Sequence, residues 1–173
     1  MTSYVKKYQT PEEFSDLIMV SDGTYLTGLY FKGSRDSKGL NGEEKDLPVF
    51  EDTARWLDLY FQGKEPDFTP TYRIEHASEF TKEISERMRE IPYGKTVTYG
   101  ELAQRIAERR SIRKMSAQAV GNAVGANPIC IIIPCHRVMG KNGNLTGYGG
   151  GLKNKTALLK LEGIDTTGFH FPK

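Results

Sequence analysis

Apolar positions in this chain are spaced in two ways, and the change from one spacing to the other divides it. Two apolar runs, Leu17 to Val20 and Tyr25 to Phe31, flank Ser21-Asp22-Gly23. An Asp-Gly step between apolar runs predicts a β-hairpin, because glycine accepts the positive φ of a tight turn. Phe50, Ala54, Leu57 and Phe61 then recur at helical spacing and predict a helix ending near Gly63. Between them, residues 33–47 are rich in Gly, Ser, Lys, Asp and Glu and predict a mobile surface loop. The first part is therefore expected to be a small sheet packed by a helix, with no grouping of residues that suggests an active site.

From residue 79 the spacing becomes helical. Phe80, Ile84 and Met88 share one face of a helix predicted over 79–90, which gives out at Pro92-Tyr93-Gly94. Thr98-Tyr99-Gly100-Glu101 has the form of a capping box ahead of Leu102 and Ile106. Ser116 is a good N-cap for a second short helix through about Val124, and two short helices joined this way resemble a helix-turn-helix. The run Ile131-Ile132-Ile133 predicts a strand buried on both faces that stops at Pro134, since proline has no amide hydrogen for the ladder. A glycine-dense loop spans Gly140 to Gly151, and a last helix runs from about Leu152 to Leu161 or Glu162, closed by Gly163. The pattern predicts an α+β chain of two domains, residues 1–76 and 77–173, the second mainly helical.

Charge sharpens this division. The net charge is +2, but residues 1–91 hold 12 Lys and Arg against 18 Asp and Glu (−6), while residues 92–173 hold 12 against 4 (+8). Either the second part meets a polyanion such as nucleic acid, or the two parts attract one another. No apolar run approaches the ~20 residues of a spanning helix, and the amino terminus has no signal-peptide apolar stretch. A cytoplasmic protein with no membrane partner is expected. Its two cysteines, Cys130 and Cys135, are then expected to be thiols.

Cys135 follows the apolar run and precedes His136. A thiol needs a base to become a nucleophile at neutral pH, and a carboxylate on the far ring nitrogen fixes the histidine tautomer. Glu162 is the carboxylate chosen for that place. Each residue also has a plain structural reading: a buried small hydrophobe, a chance doublet, a solvated helix end. The spacing of Cys130, Cys135 and His136 matches no zinc pattern, so no metal is expected. Arg137 is assigned no chemistry. The helix from Ser116 to Gly125 has no Arg or Lys and mostly small side chains, which disfavours a sequence-specific repressor and suits close, non-specific approach to a groove.

Together these residues resemble the O6-alkylguanine-DNA alkyltransferases, the methylated-DNA-protein-cysteine methyltransferases. The likeness covers about Phe80 to Gly163 and rests on Ile91-Pro92-Tyr93-Gly94, Thr98 to Ala103, Ala119-Val120-Gly121, Asn127-Pro128, Ile133 to Val138, Gly147-Tyr148 and Leu161-Glu162-Gly163. It implies a ribonuclease-H-like first domain of mainly structural role, and a suicide transferase that flips an O6-alkylguanine out of double-stranded DNA. It further implies Cys135 as nucleophile, His136 as its base through water, and Glu162 as the histidine's partner. Tyr99, Val138, Tyr148 and Gly149 would bind the base, Ser116, Ala117, Gln118 and Gly121 the DNA, and Asn127 would brace the turn. No cofactor is implied, a monomer is expected, and O4-alkylthymine is a further possible substrate. Gln118 departs from the arginine that many members insert into the base stack. A non-catalytic binder of alkylated DNA is the alternative on the same scaffold, which Cys135 argues against.

Overall fold

The structure is a computed structural model that describes residues 3–172. The predicted hairpin is present as β2 (Leu17–Ser21) and β3 (Leu26–Phe31), paired antiparallel with Leu17 opposite Phe31. Asp22 closes it by accepting hydrogen bonds from the amides of Thr24 and Tyr25 at 2.9 and 2.8 Å, the self-capping turn that an aspartate makes well.

Two strands escape the sequence pattern. β1 (Tyr4–Tyr8) pairs antiparallel with β2 although Lys6 and Lys7 are exposed, and β4 (Glu43–Glu44) pairs parallel with β1. The sheet is therefore four-stranded and mixed, in the order β3-β2-β1-β4. Both missed strands lie to the edge side of β2, where the ladder is satisfied by backbone and little apolar side chain is required. The predicted loop at 33–47 holds β4 and a 3-10 turn at Arg35–Ser37.

Helix α1 (Pro48–Phe61) starts with proline at its first turn, where the missing amide costs nothing. Its buried face is rotated from the predicted one: Phe50, Thr53, Trp56, Leu57 and Tyr60 turn inward, whereas Ala54 and Phe61 are half-buried. Tyr60 is thereby aimed across the molecule.

In the second part, α2 (Glu79–Arg89) is capped by Ser78, α3 (Tyr99–Arg109) by Thr98 and α4 (Ala117–Gly125) by Ser116. Each cap hydroxyl accepts an amide hydrogen bond three residues on, at 3.1, 3.0 and 3.1 Å. β5 (Val97–Thr98) pairs with β6 (Val138–Met139), and α5 (Leu152–Leu161) ends at Gly163 with φ 84°. No helix among the described residues is long and apolar enough to cross a membrane.

The run Ile131 to Ile133 is not a strand. It is a buried turn in which Ile131 takes φ 68°, Ile132 N–H bonds the Cys130 carbonyl at 2.7 Å and Ile133 N–H bonds the Ile129 carbonyl at 3.2 Å. A strand needs a neighbour along its whole length, and here only Ile129 bridges β3, at Leu29. The left-handed isoleucine is costly, and burial of all three side chains, each at most 5% exposed, offsets it. Apolar continuity alone does not separate these outcomes.

The outer edge of β3 joins the two parts. Leu26 N–H bonds the Thr71 carbonyl at 2.9 Å, Leu29 N–H bonds the Pro128 carbonyl at 2.9 Å, and Cys130 N–H bonds the Leu29 carbonyl at 3.2 Å. One apolar cluster runs from Leu17 and Leu29 through Ile84 and Val120 to Leu158.

Asn127 holds the buried turn together. Its side-chain amide donates to the carbonyls of Ile129 and Ile133 at 3.2 and 2.9 Å, and its oxygen accepts from Ile129 N–H at 3.0 Å. Removing it strands the buried Ile129 N–H and takes one of two donors from each of the Ile129 and Ile133 carbonyls. Asn127→Ala is expected to cost about 3 kcal/mol, lowering the melting temperature by roughly 6–12 °C for a chain of this size, as read by thermal unfolding; a change under 2 °C, by the same relation, would rule out this bracing.

Candidate active site

The turn delivers Cys135 to a short 3-10 segment, Cys135–Arg137, where successive side chains diverge around the axis instead of alternating across a strand. Cys135 turns to one side and lines a cavity of about 440 Å³, within the range of ligand pockets. His136 turns to the other and is wholly buried. Cys135 is 8% exposed, so its sulfur is sheltered yet reachable from the cavity.

His136 Nε2 lies 2.6 Å from Glu162 Oε2. Arg137 donates from Nε to Glu162 Oε1 at 2.8 Å and from Nη2 to Oε2 at 3.1 Å, while its Nη1 donates to the Ile91 carbonyl at 2.8 Å. Gly94 N–H reaches Oε1 at 2.9 Å and the Tyr60 hydroxyl reaches Oε2 at 2.6 Å. Gly94 has φ 78°, and a Cβ there would meet the Glu162 carbonyl oxygen at 3.2 Å, which explains the glycine. Burial pushes the Glu162 carboxyl up, but His136 and Arg137 overcome it and hold the group down at about 2.

An ionised Glu162 is acceptor-only, so His136 must give it the Nε2 proton. The tautomer follows. Nδ1 then carries a lone pair, and it is buried with no hydrogen-bond partner among the described residues. Burial lowers the imidazole pKa, against the pull of Glu162, so the ring is neutral and able to accept a proton.

The cysteine environment balances opposing effects. Burial pushes the thiol pKa up, while Asn127, Lys155 and Tyr148 favour the thiolate. The resting sulfur is therefore protonated, and any reaction through it requires a group to take that proton. Lys155 was not singled out from sequence. It is 1% exposed, donates to the carbonyls of Val138 and Leu145 at 2.9 and 2.7 Å, and burial lowers its pKa to about 8. Both are backbone partners, so its charge is left for the sulfur.

The other sequence candidates are distributed around this centre. The Tyr99 hydroxyl pairs with Thr146 Oγ1 at 3.1 Å at the cavity wall, and a Cβ on Gly121 would sit 3.7 Å from the Tyr99 ring. Tyr148 and Gly149 line the cavity, with the Tyr148 hydroxyl buried against Cys135 but lacking a hydrogen bond of ordinary geometry. Val138 is not at the wall: it is fully buried and its carbonyl is taken by Lys155. Ser116, Ala117 and Gln118 are exposed on the first turn of α4, beside the cavity that Gly121 and Asn122 border. Among the described residues no His, Cys, Asp and Glu cluster could hold a metal ion.

The first part contributes more than its sequence suggested. Phe31, Ser34, Arg35 and Asp36 form the opposite wall of the cavity. The Asp36 carboxylate lies so close to Gly149 that a Cβ there would come within 1.6 Å of Oδ2. Tyr60 enters through its hydroxyl. No local signal marks Phe31, Asp36 or Tyr60, because Gly150, Gly149 and Glu162, which they meet, lie far along the chain. The basic connection is also partly neutralised: Arg109 pairs with Glu90 at 3.1 Å and Arg110 with Glu83 at 2.5 Å, leaving Arg113 and Lys114 exposed before α4.

Comparison with known proteins matches residues 79–164 to the 6-O-methylguanine DNA methyltransferase DNA binding domain and residues 4–72 to the ribonuclease-like domain of the same methyltransferases. A methylated-DNA–protein-cysteine methyltransferase of Haemophilus influenzae is 41% identical over 155 residues, covering 89% of this chain and 84% of that one. An inducible methyltransferase of the same description from Bacillus subtilis is 37% identical over 170 residues, 88% of this chain and 91% of that one. The crystal structure of Mycobacterium tuberculosis O6-methylguanine methyltransferase superposes with a TM-score of 0.75 at 32% identity, covering 93% of each chain. The Mycobacterium tuberculosis OGT in complex with DNA gives 0.75 at 33% identity, covering 94% and 92%.

The low Glu162 pKa links the site to stability. A carboxyl held below its ordinary 4.5 contributes stability that is complete above that value and is lost as pH falls toward about 2. Glu162→Gln is expected to be destabilised at pH 7 and to show a flatter loss of stability between pH 5 and 2, by denaturant unfolding; parallel curves for the two proteins would contradict the assignment.

Proposed function

The chain belongs to the 6-O-methylguanine DNA methyltransferase family, and we propose how its own residues perform one alkyl transfer. It is a suicide cysteine methyltransferase that repairs O6-alkylguanine, and double-stranded DNA is its partner. In our reading α4 lies along a groove of the duplex, with its small side chains Ser116, Ala117 and Gly121 allowing close approach. Arg113 and Lys114 hold phosphates without reading sequence. The damaged nucleotide is everted into the cavity between α4, the 146–150 loop and the wall at Phe31 to Asp36, and Gln118 fills the space it leaves.

Cys135 then attacks the alkyl carbon. The thiol proton passes to His136 Nδ1, directly or through water, a sulfur–carbon bond forms, the carbon–O6 bond breaks, and its electron pair leaves with guanine. The Tyr99 hydroxyl hydrogen-bonds the base as negative charge develops, and Thr146 orients that hydroxyl. The imidazolium formed is stabilised by Glu162. A thioether has no ready route back to the thiol, so each molecule reacts once. The alkyl group arrives with the DNA, and no cofactor enters the step. The observation that carries this reading is the buried His136 Nδ1, without a hydrogen-bond partner among the described residues, on the residue next in sequence to a cysteine that lines the cavity. A site built within one chain supports a monomer, and we place its action on DNA in the cytoplasm.

Incubation with a duplex containing O6-methylguanine is expected to add one methyl, about 14 Da by intact mass, to Cys135 once per molecule. An unchanged mass in folded protein would end the transfer reading. Gln118→Ala is expected to repair duplex DNA about tenfold more slowly while reacting with free O6-methylguanine at the parent rate, since only extrusion is impaired. Equal duplex rates would show that another residue is inserted.

A further inference from the structure

Tyr60 of the first part hydrogen-bonds the Glu162 carboxylate that holds His136, and the transfer described above leaves it without a role. It is wholly buried in α1, stacked on Trp56 at 5.4 Å and 8° and set edge-on to Phe61 at 5.5 Å and to Tyr93 at 6.2 Å. Its ring is fixed on several sides, so the hydroxyl cannot seek another partner. That hydroxyl lies 2.6 Å from Glu162 Oε2, the same oxygen that takes the His136 Nε2 proton at 2.6 Å.

We propose that Tyr60 is a positioning residue for the alkyl transfer, by which the first part of the chain sets the proton affinity of His136 through their shared Glu162 oxygen. The inference rests on His136 being the base. An ionised carboxylate has about four lone-pair sites, and Glu162 is met by five donor contacts, from Tyr60, Gly94, His136 and twice from Arg137. Tyr60 draws off part of the charge that would otherwise face the imidazole. Less charge on Oε2 means a weaker pull toward imidazolium, and a neutral ring is what accepts the Cys135 proton.

The other groups around the pair act in known directions. Burial, Arg137 and Lys155 oppose protonation of His136, and Glu162 favours it. Tyr93, which also feels Glu162, stays protonated, as does Tyr60, because burial raises both hydroxyls. Removing the Tyr60 hydroxyl therefore returns charge to Oε2 and makes the ring easier to protonate. The cost falls on the acid side of the reaction.

The test is the rate of methyl transfer from an O6-methylguanine duplex between pH 5 and 9 for the parent protein, Tyr60→Phe and His136→Ala. Tyr60→Phe is expected to be about fivefold slower at pH 6 and within about twofold of the parent at pH 9, its acid limb moved to higher pH, with unchanged duplex affinity. A uniform loss at every pH would show a merely structural role and overturn the proposal, as would no change. Replacing Tyr60 by 3-fluorotyrosine, a stronger donor of nearly the same shape, should move the acid limb the opposite way, and this arm decides the matter if Tyr60→Phe folds poorly. If His136→Ala retains the parent rate, the base assignment and this proposal both fall. If His136→Ala is slow and both Tyr60 proteins match the parent, this proposal alone falls.

Discussion

A single buried carboxylate organises this molecule. Glu162 accepts hydrogen bonds from the first part of the chain at Tyr60, from the segment before β5 at Gly94, and from the nucleophile's own turn at His136 and Arg137. An unpaired carboxylate at that depth would cost several kcal/mol, whereas one met by donors on every side locks the segments that supply them. The same arrangement fixes the histidine tautomer, so the network that holds the turn in place also leaves Nδ1 bare. Stability and chemistry share one set of bonds.

The sulfur is governed by a different balance. Burial alone would make Cys135 an inert core thiol, and its raised pKa reflects that. Asn127, Lys155 and Tyr148 favour the thiolate, and in the mechanism proposed above they and a His136 kept neutral by its own desolvation make the sulfur reactive. In that mechanism the thiol gives up its proton only as it attacks the alkyl carbon. Such restraint suits a protein that can react only once.

The two parts of the chain are mechanically one. The free edge of β3 is occupied by residues 71–73 and 128–130, so the sheet of the first part is extended by the turn that carries the nucleophile. Asp36 closes the cavity against Gly149, and α1 sends the Tyr60 hydroxyl to the Glu162 carboxylate. Glu83 and Glu90, at α2, pair with Arg110 and Arg109 within the second part, so its basic connection is partly neutralised by its own acidic residues.

The sequence by itself determined the elements whose signals are local. The Asp-Gly hairpin, the Thr98 and Ser116 caps and the Gly163 stop act within a few residues, and the doublet Cys135-His136 marked itself as a candidate by residue type. Glu162 was legible as a candidate, but not its 2.6 Å approach to His136. Tertiary structure decided the rest. Ile131 to Ile133 became a turn because no strand lies beside them, α1 rotated its buried face toward Trp56 and Tyr60, and β1 and β4 formed on backbone pairing that leaves little trace in side chains. Lys155, Asp36 and Tyr60 acquired their places only when distant segments met, since the field at a buried atom is the sum over everything packed around it and no window of neighbouring residues contains that sum.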